Sequence, residues 1–315
     1  MKVTVLGWYG HDNIGDDAYE LAFSLLLPEH ELTFTDKLDG SKVDAIILGG
    51  GDILYNNFSE QLIPYSLIPK YAFSVSVRDE VLPPVAFKKI ISRDNPSFPG
   101  CSWLPDFTFA LTPDADNGRR LVKKIFTGLD LYDKVCVVVI NSNLMAKECT
   151  LARDSVTLDK FAFDLAHAID HTNASFLFLP FGNGFPFNDR ITNSMVYARC
   201  KFWKKTAIIY EKYNPQQVLD IISAVDLVIS TRLHASVFSC IGGTPFIDIT
   251  HHDKNRFFVE AIGKQGWSVD YWRFCLHRFN LLMKDLLNKN YRKELLTMTH
   301  HYKDLLHSAA PSLLS

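Results

Sequence analysis

The sequence predicts an α/β protein made of two Rossmann-like domains facing a cleft, the first over residues 1–125 and the second over 126–315. Three observations predict it. Short apolar runs of β-prone residues alternate with segments whose apolar residues recur at helical spacing, the pattern of parallel βα units. Glycine-rich or polar turns stand at the ends of several of these runs, where open α/β sheets bind ligands. The series breaks in a polar helical stretch between Pro113 and Lys134 and starts again at Val135.

In the first series, residues 3–6 read as a buried strand that stops at Gly7. The loop that follows carries Gly10, Asn13 and Gly15. Ala18, Leu21, Ala22, Leu25 and Leu26 then fall on one helical face. Asp16 or Asp17 is read as the N-cap, favoured by the helix dipole, and Pro28 as the stop. Residues 45–48 form another buried strand that runs into Gly49-Gly50-Gly51-Asp52. Consecutive glycines there permit a sharp turn or a close backbone approach. Further strands are expected over residues 31–35, 72–77 and 89–92. The last leads to Arg93-Asp94 and then to a proline-rich stretch (Pro96, Pro99, Pro105) ending at Asp106.

In the second series, residues 135–140 are a continuous apolar run of high β propensity. Thr157 caps a helix whose inner face is Leu158, Phe161, Ala162, Leu165, Ala166 and Ile169. Residues 175–179 and 207–210 read as strands, and Asn214-Pro215 opens a helix that runs to about Ser223. Residues 227–230 are the next strand. Ser230 or Thr231 is read as the cap of a helix packing on Leu233, Val237 and Ile241 and ending at Gly242-Gly243. Thr244-Pro245 turns into a strand over 246–249, and the chain from about Val259 reads mainly as helices.

Composition removes several classes of function. Lys and Arg number 33 against 35 Asp and Glu, and no long basic run marks a nucleic-acid surface. Cys101, Cys136, Cys149, Cys200, Cys240 and Cys275 include no C-x-x-C pair. They point to reduced thiols in a cytoplasmic protein rather than to zinc ligands or a disulfide framework. No apolar run approaches the roughly 20 residues of a membrane helix, and residues 3–6 are too short for a signal-peptide core. Contact between a surface helix and a membrane stays open, as does the oligomeric state. Gly7, Gly10 and Gly15 do not match the dinucleotide fingerprint, and neither a G-x-S-x-G elbow nor a Walker loop occurs.

Ser230-Thr231-Arg232-Leu233-His234 is the sharpest local constellation. It follows a strand and opens a helix, so unpaired backbone N–H groups and the dipole converge on one spot. Arg232 adds a planar fork suited to a carboxylate or phosphate, and His234 a group that passes protons near neutral pH. The plainer reading is a capped helix with a surface arginine and a satisfied histidine. Asn13, Gly15, Asp16, Gly50, Gly51, Arg93, Asp106, Ser230 and Lys254 are the other candidates for substrate contact. Arg93 is open to two readings, a cleft ion pair with Asp94 or an exposed surface pair. His251-His252-Asp253 lacks the spacing of a metal motif.

In their order along the chain, several of these segments resemble the polysaccharide pyruvyltransferase family. They are Asn13-Ile14-Gly15-Asp16, Gly49-Gly50-Gly51-Asp52, Ser92-Arg93-Asp94, Pro105-Asp106, Leu179-Pro180-Phe181, and Ser230-Thr231-Arg232-Leu233-His234 through Gly243-Thr244-Pro245. The similarity runs from the first loop to about Gly263. It implies a glycosyltransferase-B-like fold and phosphoenolpyruvate as donor substrate. No further cofactor is expected, and no metal, since no spaced ligand motif occurs. The resemblance also implies as acceptor a sugar of a surface polysaccharide or of its lipid- or nucleotide-linked precursor. By the same resemblance Arg232 and His234 match the donor-binding and catalytic pair. Ketal formation needs proton transfers, for which Asp16 or Asp106 is a candidate helper of His234 on chemical grounds. The chain departs from the family just after the first strand of the second domain. An arginine is common there, whereas this chain has Asn141-Ser142-Asn143, with Arg153 as a candidate spatial replacement. A nucleotide-sugar glycosyltransferase and a non-catalytic binding protein of the same fold are the competing readings.

Overall fold

The computed structural model describes residues 1–55, 57–77, 85–94, 100–144, 157–184 and 188–315. Two parallel six-stranded sheets with flanking helices result, the doubly wound architecture that the alternation of strand and helix predicts. The chain divides into two compact units, Met1–Leu111 with Thr299–Ser315, and Thr112–Met298.

The first sheet comprises β1 (Lys2–Leu6), β2 (Glu31–Thr35), β3 (Ala45–Gly51), β4 (Lys70–Val75), β5 (Lys89–Ser92) and β6 (Cys101–Trp103), in the order β2-β1-β3-β4-β5-β6. Every residue of β3 and β4 is buried, as a parallel strand covered on both faces requires. Helix α1 (Ile14–Leu26) returns the chain from β1 to β2. Its N-cap is Asn13, whose side chain accepts from Gly15 N, and not Asp16 or Asp17. The two aspartates lie in the first turn, where carboxylates meet the positive end of the dipole. A four-residue helix, α2 (Asn57–Glu60), follows β3. On β4, Ser74 holds φ +55° where the register with β5 shifts.

The second unit opens with α3 (Ala115–Ile125) and contains β7 (Val135–Val139), α4 (Leu158–Asp170), β8 (Ser175–Phe178), α5 (Asp189–Tyr197) and β9 (Thr206–Ile208). Then come α6 (Pro215–Ser223), β10 (Leu227–Ser230), α7 (Leu233–Gly242), β11 (Phe246–Thr250), α8 (Asp253–Ala261), β12 (Ser268–Asp270) and α9 (Leu276–Asn288). The strand order β12-β11-β10-β7-β8-β9 means that the chain winds outward from β7 to β9, returns beside β7 as β10, and winds outward the other way. The crevice between the ends of β7 and β10 is therefore the switch point at which such sheets bind ligands.

The units differ from a division at 125/126 in two places. Helix α3 packs on α6, with Gly118 so close that an added Cβ would lie 2.0 Å from the Asp220 carbonyl oxygen. Asp220 also accepts from Asp114 N and from Asn117 Nδ2, each at 2.8 Å. The last helix, α10 (Arg292–Ala309), carries the chain from the second unit into the first. There Tyr302 sets its ring edge-on to Phe109 and Trp103, and Lys89 Nζ donates to the Ser312 carbonyl at 2.7 Å. Among the described residues no helix is long and apolar enough to cross a membrane. Among the described residues, Cys101, Cys136, Cys200, Cys240 and Cys275 form no disulfide, while Cys149, Pro96, Pro99 and Arg153 lie outside the described residues.

Candidate active site

At the switch point of the second unit, the loops after β7 and β10 are tied directly to each other. Thr231 N donates to the Val139 carbonyl at 3.0 Å, and Thr231 Oγ1 accepts from Asn141 N at 2.6 Å. Ser230 Oγ accepts from Arg232 N at 2.8 Å and donates to Arg232 O at 3.0 Å. Both residues expected to cap α7 are thus used to shape the turn. The N-cap is Arg232, in extended backbone, and no side chain caps the helix. Helices α1, α3, α4, α5 and α6 each have a side-chain cap. The N–H groups at the mouth of α7 are left to be met by something other than a capping side chain, the arrangement that suits an anion.

Arg232 is not a loose surface arginine. Its Nε donates to Asp189 Oδ2 at 3.0 Å and its Nη2 to Asp189 Oδ1 at 2.6 Å, a side-on fork. Asp189, the first residue of α5, is fully buried and is held in turn by the loops after β7 and β8. It accepts from Ser142 N at 2.9 Å, Gly182 N at 2.9 Å and Phe181 N at 3.2 Å. Sequence reasoning missed this residue. Asn188-Asp189 carries the signal of a helix start, but nothing local links it to an arginine 43 residues away. Around it, Ser142 Oγ, Asn183 Oδ1, Arg190 Nε and Asn193 Nδ2 are buried and find no hydrogen-bond partner among the described residues. Such atoms call for a water, an ion or a ligand to meet them.

Asn141, standing where the family often has arginine, is buried and closes its own turn by accepting from Asn143 N at 2.9 Å. It brings no charge to the site. His234 is the second residue of α7 and is half-buried. Lys254 holds the same position on α8, whose N-terminus again has no side-chain cap, and β10 and β11 are adjacent. Asp248 ties the two helices from below, accepting from Ser236 Oγ at 3.4 Å and from Asn255 Nδ2 at 2.7 Å, and from Thr250 Oγ1 on its own strand at 2.5 Å. Burial pushes its carboxyl up to about 6 against the opposing effect of those hydrogen bonds. His251 is buried, whereas Asp253 is exposed and pairs with Arg256. Among the described residues no cluster of three His, Cys, Asp or Glu is arranged to hold a metal ion.

In the first unit, Asn13, Gly15, Asp16, Gly50 and Gly51 come together at the ends of β1 and β3. Asn13 Oδ1 accepts from Gly15 N at 3.3 Å, and Asn13 Nδ2 donates to the Asp16 carboxylate. Gly51, at φ +93°, passes beneath Asp16. Gly50, at φ +75°, lies so close to the Tyr19 ring that a Cβ would fall 2.3 Å from it. This rim is acidic. Burial, reinforced by Asp16, Glu20 and Asp12, pushes the Asp17 carboxyl up to about 6 although Gly10 N–H opposes the shift. Arg93 does not join the rim. Its guanidinium turns inward, with Nη1 at 3.2 Å from Asp106 Oδ2 and 2.8 Å from Tyr19 Oη, and Nε at 3.2 Å from Ser76 Oγ. Asp106 is buried with it, accepting from the Tyr19 hydroxyl at 2.6 Å and from Thr108 Oγ1 at 2.7 Å. The structure brings the two together as a strut below the rim, and Asp94 adds its charge near the same guanidinium.

Residues 11–253 match the family model for polysaccharide pyruvyl transferase. Among similar solved structures, the UDP complex of MnaA from S. aureus is 10% identical, with 98% of this chain and 92% of that chain covered and a TM-score of 0.61. UDP-N-acetylglucosamine 2-epimerase from Rickettsia bellii is also 10% identical, covering 99% and 95%, with a TM-score of 0.60. A spinosyn rhamnosyltransferase is 9% identical, covering 99% of each chain, with a TM-score of 0.58. At these identities the likeness concerns the fold alone. No curated protein matches.

Proposed function

The chain belongs to the polysaccharide pyruvyl transferase family, and we propose that it moves pyruvate from phosphoenolpyruvate onto two hydroxyls of a saccharide, forming a ketal and releasing phosphate. The observation that carries this reading is the mouth of α7. A guanidinium held side-on by a buried carboxylate stands at a helix N-terminus that no side chain caps, with His234 two residues along. Phosphoenolpyruvate bears a phosphate and a carboxylate. Arg232 with α7, and Lys254 with the neighbouring α8, supply two openings of matching charge.

In this reading His234 transfers protons. A proton reaches the methylene carbon of the donor and leaves an oxocarbenium-like centre at its neighbour. One saccharide hydroxyl attacks that centre, phosphate departs with the electron pair of the C–O bond, and the second hydroxyl closes the ring. Of the two hydroxyl protons lost, one balances the new methyl C–H and the other leaves with phosphate. Asp106 is already engaged by Tyr19, Thr108 and Arg93. A reaction fed by phosphoenolpyruvate also agrees with a cytoplasmic location.

A thermal-shift titration tests the donor assignment, because a ligand that binds only the native state raises its stability by mass action. The expected result is a shift with phosphoenolpyruvate that exceeds those with pyruvate and inorganic phosphate and is lost in Arg232→Ala. A shift with UDP or GDP and none with phosphoenolpyruvate would move the assignment to glycosyl transfer. Silence with every ligand would favour a binding protein.

A further inference from the structure

We propose that Asp189 is the positioning residue of this site, holding Arg232 in the one orientation from which it meets an anion. The inference rests on the reading of Arg232 as an anion-binding group, and phosphate and carboxylate share the chemistry concerned. The carboxylate gathers five hydrogen bonds from three different loops, those after β7, β8 and β10. Its backbone N–H is fixed as well, donating to the Gly182 carbonyl at 2.8 Å. Because Arg232 engages through Nε and Nη2, the Nη1 side of the guanidinium faces away from Asp189. An arginine ordered in this way has little side-chain entropy left to lose when a ligand arrives.

Charge alone predicts the opposite of positioning. Removing the negative charge of Asp189 makes the site more positive, so simple electrostatics has Asp189→Asn binding an anion more tightly. Positioning has it binding more weakly, since the guanidinium loses its anchor. A purely structural role changes stability without coupling to Arg232. All five partners are donors, so the NH2 of an asparagine faces at least one of them. Asp189→Glu keeps the charge and the acceptors, displaces the guanidinium by a methylene, and serves as the second variant if Asp189→Asn does not fold.

Calorimetric titration with phosphoenolpyruvate, and separately with inorganic phosphate, on the wild type, both Asp189 variants, Arg232→Ala and the double variants decides the matter, with near-UV circular dichroism confirming the fold. Each Asp189 variant is expected to weaken phosphoenolpyruvate at least about tenfold, and neither to weaken it further in the Arg232→Ala background. Affinity equal to or above wild type in a folded Asp189 variant, or losses that add in the double variants, overturns the proposal. If the wild type binds phosphate but ignores phosphoenolpyruvate, the donor assignment fails and the same cycle read with phosphate judges Asp189. Wild type that binds neither ends both.

Discussion

Arg93 Nη1 lies 3.2 Å from Asp106 Oδ2, and both side chains are at least 95% buried. The Tyr19 hydroxyl touches the two of them, and burial beside Asp106 holds that phenol well above its ordinary range, so it remains a proton donor. Breaking a buried pair strands the remaining charge, which typically costs about 3–5 kcal/mol. Arg93→Met and Asp106→Asn are each expected to lose stability of that order in urea titrations. The double variant Arg93→Met/Asp106→Leu should lose clearly less than the sum. Additive losses would show that the two residues do not act as a pair.

Gly50 is the glycine of the triple run that tolerates substitution least. Its φ of +75° disfavours any side chain, and the Tyr19 ring occupies the place of a Cβ. Backbone strain of about 1–2 kcal/mol and overpacking of about 1–3 kcal/mol act in the same direction. Gly50→Ala should therefore unfold at markedly lower denaturant. Gly40→Ala, at a positive φ in open space, should show only the backbone part.

His234 and Arg232 should separate in their effects. His234→Ala is expected to keep the thermal shift with phosphoenolpyruvate while lowering kcat by about 10²-fold or more, the usual scale of general acid–base catalysis. Arg232→Ala should lose the shift itself. Phosphate release by His234→Ala at the wild-type rate would remove the histidine from the chemistry.

Asp248 gives a pH signature. Its folded value of about 6 lies above that of an unfolded aspartate, so between about pH 4 and 6 the folded state holds the proton more tightly. Stability should fall as pH rises through that window and then level off, by about 2–3 kcal/mol for a shift of this size. Asp248→Asn should flatten this part of the profile in urea titrations at a series of pH values. A profile that superimposes on the wild type would exclude Asp248 as its source.

Much of the fold was legible because its central strands are buried on both faces, which writes β3, β7 and most of β10 as apolar runs, while β1 and β11 are each interrupted by one buried polar residue, Thr4 and Asp248. The three-residue strands β6 and β12 leave too short a trace. Helix starts were legible where one residue both caps and begins the periodic run, as at Thr157 and Asn214. At α1 two aspartates competed for a role that the loop geometry gives to Asn13. Arg232 and His234 could be found because a strand end and a helix opening lie within five residues. Asp189 could not, since its partner comes from a distant strand. Asp106 could not be assigned to Arg93 either, since that carboxylate lies 13 residues on and the two meet only through the fold.

The return of residues Thr299–Ser315 to the first unit has a consequence for the order in which a ribosome lets this protein mature. Residues 112–298 are contiguous and can close as soon as they have emerged. The unit begun at residue 1 still lacks Tyr302 against Phe109, Ser312 on Lys89 and Leu314 on Tyr71 until synthesis passes those positions. The half translated first is thus the half completed last, against the usual N-to-C progression of nascent domains. In the interval its unfinished face is the surface that a chaperone would meet.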